Sequence, residues 1–162
     1  MGLSAVFPAT KNYIEVNANG TWEWLENNTG SDVAAGDLVK VSTLSGTNPK
    51  QLAAVADDTT TQIPGIVDHM MLSKWSDYTP AGSIKKDAFG WVKTKGPVTA
   101  DTKAALNPTL GHGAKIHDGV IDTLGAASDL SDTHEIGVFQ DTGAASVHKI
   151  ILHGLGPKVA TT

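Results

Sequence analysis

The feature that most constrains this chain is a repeated short alternation of apolar and polar residues, cut at close intervals by turn residues. In "GDLVKVS", residues 36–42, Leu38, Lys40 and Ser42 face one way and Val39 and Val41 the other. The same period of two recurs in "FGWVKTKG" at 89–96 and "SVHKIILHG" at 146–154. A period of two is the signature of half-buried strands. Expected strands span 37–43, 51–56, 63–71, 89–95, 114–117, 119–123, 135–139 and 147–153. Turn chemistry lies between them at "NPK" 48–50, "TPAG" 79–82, "KGP" 95–97 and "HDG" 117–119. Asp118-Gly119, set between "AKIH" and "VIDT", is a two-residue hairpin signal. Helical signal is thin: "TADTKAALN" at 99–107 offers at most one or two turns before Pro108.

Length and composition point the same way. A chain of 162 residues fits one domain and buries enough surface to fold without metal or disulfide. Its 17 glycines supply turn conformations, and its many threonines suit a pleated surface. The expected fold is all-β, a compact β-barrel or β-sandwich with an extended N-terminal arm. Residues 1–30 form the arm and first strand, with 1–19 extended and 20–26 a strand; a first hairpin of the main sheet is the alternative. Residues 31–155 form the β domain, 125–133 a polar surface loop, and 156–162 a loose C-terminal tail.

Charge and motif content narrow the function. The net charge is −5, and all twelve basic residues are lysine. Arginine's planar fork serves most phosphate- and base-reading surfaces, so nucleic acid is not an expected partner. The N-terminus lacks a basic region and a continuous apolar core, and no stretch approaches the roughly 20 apolar residues of a membrane span, so no membrane partner is expected either. With no cysteine, thiol catalysis and Cys-ligated zinc are excluded.

Six histidines raise the question of a metal. His112 and His117 are five apart, as are His148 and His153, and strand residues five apart point to opposite faces. No H-E-x-x-H, G-x-S-x-G or phosphate-cradling loop occurs. Catalytic, cofactor-binding and metal residues are therefore all expected to be none, and the chain is not expected to be an enzyme. Aromatic residues carry more information. Trp91 reads as core. Trp22 and Trp24, at the end of the arm, and Trp75, in the polar loop "SKWSDYTPAG", read as interface anchors or as rim-of-core residues. With Phe7, Tyr13 and Tyr78 they make up the candidate interface.

The order "AAGDLVKVS", "IPGIVDH", "GWVKTKGPV", "KIHDGVID" and "EIGVFQDTGAASVHKIILHG" resembles the small capsid decoration (cement) proteins of tailed bacteriophages, over about 34–154. The resemblance implies a β-barrel or β-sandwich on the outer surface of a virion head. There it would bridge subunits of the major capsid protein, as a dimer or trimer, with an extended terminal arm and no catalytic residues. Two other readings compete: a carbohydrate- or receptor-binding β module, with Trp75 and Tyr78 as a sugar platform, and, third, a small β-fold hydrolase.

Overall fold

A computed structural model describes residues 13–42, 51–54, 63–68, 83–124, 134–154 and 158–159. Among the described residues, thirteen strands run in chain order: β1 Tyr13–Asn17, β2 Gly20–Asn27, β3 Val33–Ala34, β4 Leu38–Ser42, β5 Gln51–Ala53, β6 Ile63–Val67 and β7 Ser83–Ile84. They continue with β8 Phe89–Leu106, β9 Gly113–His117, β10 Val120–Thr123, β11 His134–Phe139, β12 Ala145–His153 and β13 Lys158–Val159. The fold is all-β, with no helix among the described residues.

Eleven strands form one sheet in the order β1-β2-β5-β4-β6-β8-β12-β11-β9-β10, with β13 beside β11; β3 and β7 pair separately. β2 also pairs with β8, so the first half of the sheet curls back on itself. The sheet as a whole stays open, with β1 and β10 at its ends, and is sandwich-like rather than a closed barrel.

The alternation read from the sequence decides what is buried. In β4, Val39 and Val41 are buried while Leu38, Lys40 and Ser42 are half-buried. Val39 and Val41 pack with Leu25, Val33, Val67, Ile84 and Val92 into one core. A second core collects Val98 and Ala100 of β8, Ala114 and Ile116 of β9, Ile121 of β10, Ile136 and Phe139 of β11, and Ile150 and Leu152 of β12. Neighbouring residues of β6 serve different cores: Val67 enters the first and Ile66 the second, where Leu38 also packs. Each fully buried aliphatic side chain contributes about 1.5–3 kcal/mol. No single face of β6 can therefore be called outside.

β8 joins the two halves. Its first part pairs with β2 through Glu26↔Phe89, Trp24↔Trp91 and Trp22↔Lys93. Its second part pairs with β12 through His153↔Lys95, Ile150↔Val98 and Val147↔Asp101. This corrects two expectations. The "KGP" turn at 95–97 lies inside the strand, at the positive-φ residue Gly96, and 99–106 is strand rather than helix. A helix of two turns ending at a proline has too few hydrogen bonds to offset nucleation, whereas β12 pairs with Thr99, Ala100 and Asp101 and, past a register shift, with Leu106.

The arm reading also changes. Residues 13–17 and 20–27 are the first hairpin of the main sheet, joined in the register Tyr13↔Trp24 to Asn17↔Gly20. Part of the tail, 158–159, pairs with Glu135 and His134 of β11 instead of lying loose. The Asp118-Gly119 hairpin forms where it was expected, with both residues at positive φ and Val120 opposite His117. The turns at 48–50 and 79–82 and the loop at 125–133 lie outside the described residues.

Candidate functional site

Trp22 and Trp24 are 4% and 2% exposed, so neither is a surface anchor. Trp24 stacks on Phe89, with centroids 6.1 Å apart, and tilts against Trp91 at 5.5 Å. The register β2–β8 places these rings side by side, because "TWEW" and "FGW" carry aromatics at the same period on antiparallel strands. That matched period was the available signal for burial. Tyr13 lies on β1, and its side chain is outside the described residues, as are Phe7, Trp75 and Tyr78.

Beside these rings sits a polar knot that the sequence did not announce. Trp22 donates its indole N–H to Asp68 at 2.7 Å. Lys93 places its ammonium 4.4 Å from the Trp22 ring centroid and 3.9 Å from the Asp68 carboxylate, and donates to the Pro97 carbonyl. Lys93 and Asp68 are both buried. Burial pulls the Lys93 amine below the usual lysine range, and the Asp68 charge opposes that shift. The only signal for Lys93 was its place two residues after Trp91, on the same face of β8.

A groove of about 760 Å³ runs along the outer face of β8 from Lys93 to Asp101. Pro97, Thr99, Val147, Lys149 and Ile151 line it, and Asp68 shares the Lys93 end. Burial, and then the charge of Asp37, raise the Asp101 carboxyl above the usual aspartate range. The groove is mainly apolar, with Lys93 and Asp68 at one end, Asp101 at the other and Lys149 between them.

The histidine pairs are not brought together. His148 is buried, with Nδ1 3.0 Å from Asp141 and Nε2 3.0 Å from the Leu106 carbonyl. His153 pairs with Glu135, His117 lies 3.4 Å from Asp118, and His112 is exposed. Among the described residues, no three His, Asp or Glu side chains are grouped to hold a metal ion. Among the same residues, no helix is long and apolar enough to cross a membrane.

No protein-family model matches the chain, and no curated protein matches it. Among solved structures, it is similar to the N base of the head fiber gp8.5 of bacteriophage phi29. The identity is 13%, the match covers 85% of this chain and 97% of that chain, and the TM-score is 0.48.

Proposed function

We propose that this chain is a capsid decoration protein of a tailed bacteriophage: a non-catalytic β module that binds the outer surface of the head and bridges subunits of the major capsid protein. The observation that carries the reading is where the resembling segments fall. "GDLVKVS" supplies β4, "IPGIV" β6, "GWVKTKGPV" the middle of β8, "KIHDGVID" the β9–β10 hairpin, and "EIGVF" with "ASVHKIILH" β11 and β12. These strands contribute most of both hydrophobic cores, so the shared order is the order of the framework and not of scattered loops.

A clamp of this kind acts by mass action. Binding only the assembled lattice lowers that lattice's free energy relative to its separated subunits. The groove along β8 is the surface suited to an extended segment of a capsid subunit. The test is sedimentation of the purified chain with heads from which it has been genetically removed. Saturable binding at a fixed ratio to the major capsid protein, with heads that resist heat better when loaded, supports the reading. Failure to co-sediment at saturating concentration overturns it.

A further inference from the structure

β1 ends the main sheet, and among the described residues no strand pairs with its outer edge. The pair Asn17↔Gly20 flanks a two-residue turn, which makes it a hydrogen-bonded pair. Counting back by two, Tyr13, Glu15 and Asn17 direct their backbone groups toward β2. The N–H and C=O groups of Ile14 and Val16 therefore point to the open edge. The same two residues expose their side chains, at 59% and 70%.

Natural edge strands are blunted by proline, by lysine or by a bulge. Tyr13–Asn17 contains no proline or lysine, and its pairing with β2 runs without a register shift.

We infer that β1 is a self-association edge, on which β1 of a second copy pairs antiparallel across a twofold axis at Val16. Charge and hydrogen bonding select this occupant. A twofold at Glu15 would set two carboxylates opposite each other, which is destabilising. A twofold at Val16 sets Val16 against Val16 of the second copy and Ile14 against its Ala18. Glu15 then lies opposite Asn17 of the second copy. Within one chain the Asn17 amide already reaches the Glu15 carboxylate at 3.4 Å, so donor and acceptor sit symmetrically about the axis and each strand is its own complement. The backbone groups of Val16 bond to those of its mate.

Five residues a side fall short of the roughly 800 Å² per partner of a standard stable interface, so the dimer is a weak one, populated at high protein concentration. It does not depend on the decoration reading, since it forms between copies in solution.

The chain has no cysteine, which makes single-thiol crosslinking clean. In an antiparallel hydrogen-bonded pair the Cα atoms are about 5.5 Å apart, within the span a disulfide bridges. Under mild oxidation Val16→Cys should give a disulfide-linked dimer about tenfold faster than Thr99→Cys, an exposed position on β8, because pairing raises the local thiol concentration. Glu15→Cys and Asn17→Cys, each of which lies two positions out of register with its own copy across the axis, should fall between. Val16→Lys should lower the weight-average mass of the cysteine-free chain at high micromolar concentration, with an unchanged circular dichroism spectrum. Crosslinking of Val16→Cys at the Thr99→Cys rate overturns the proposal. So does a dimer that survives Val16→Lys.

Discussion

The indole of Trp22 and the carboxylate of Asp68 meet at 2.7 Å although 46 residues separate them, and neither is reachable from solvent to any extent that matters. The contact fastens the β1–β2 hairpin to the end of β6 and sets the anion beside the Lys93 ammonium. Trp22→Phe keeps most of the ring but removes the donor, leaving a buried acceptor short of a partner, at a cost of about 1–3 kcal/mol. Asp68→Ala leaves the Lys93 charge buried without its anion and should cost about 3 kcal/mol or more. Adding Lys93→Met to that variant should recover part of the loss. Urea unfolding of the singles and the double measures the coupling; strictly additive effects would show that the three groups do not act as a unit.

Two aspartates should respond to acid in opposite directions. Asp101 has its carboxyl raised above 3.8, first by burial and then by Asp37. A raised carboxyl favours the fold while protonated, and that contribution is lost as pH rises through the folded-state value. Asp101→Asn should therefore raise stability at neutral pH, by less than about 1 kcal/mol because solvent screens the exposed side chain. The gain should vanish well below pH 3.8.

Asp122 is shifted the other way. Burial pushes its carboxyl up, but the Lys103 ammonium, the Thr123 N–H and the charge of Lys115 together pull it below 3.8. Its contribution is present above the unfolded-state value and lost as pH falls through the folded one, so Asp122→Asn should destabilise at neutral pH and converge on wild type in strong acid. Thermal melts from pH 2 to pH 7 check both signs.

His148 should prove structural. Its ring meets the Phe139 ring edge-on at 5.8 Å, and its two nitrogens reach Asp141 and the end of β8 at Leu106. Asp141 also accepts the Lys149 N–H, so one imidazole ties the β11–β12 connection to the end of β8. His148→Ala should cost about 2 kcal/mol or more through the cavity and the unpaired acceptors. Addition of Zn²⁺ should leave the wild-type melting point unchanged.

Strands whose two faces differ in polarity were legible residue by residue. β4 and β12 and the Asp118-Gly119 hairpin follow directly from period two and from turn chemistry. β8 was legible only to Lys95, because Lys-Gly-Pro has turn composition and the alanines after it have helical composition. Its continuation is set by pairing with β12, a partner some fifty residues away that no local window contains. Trp22 and Trp24 mislead for a related reason. Apart from Leu25 their flanking residues in sequence are polar, but their neighbours in space are Phe89, Trp91 and Lys93. Of the candidate interface, the structure thus moves two tryptophans inward, while the exposed Ile14 and Val16 were not among its residues.

The joint between the two halves of β8 offers the sharpest test of the architecture. Gly96 has φ +99, a conformation L side chains rarely adopt, and a Cβ there would lie 2.7 Å from the Asn19 carbonyl oxygen and 3.0 Å from Gly20 Cα. Both obstacles are backbone of the β1–β2 turn, which cannot swing aside as a side chain would. Gly143 has a similar φ of +103, yet nothing lies within 4 Å of its would-be Cβ. Gly143→Ala thus reports the backbone strain alone, about 1 kcal/mol. Gly96→Ala adds the collision, and should cost at least about 2 kcal/mol more, because either the hairpin must lift from β8 or β8 must bend between its two cores. Denaturant midpoints of the two variants isolate the difference. Equal losses would mean that the hairpin does not rest on Gly96, and that β8 does not carry the first hairpin and the second core on one continuous strand.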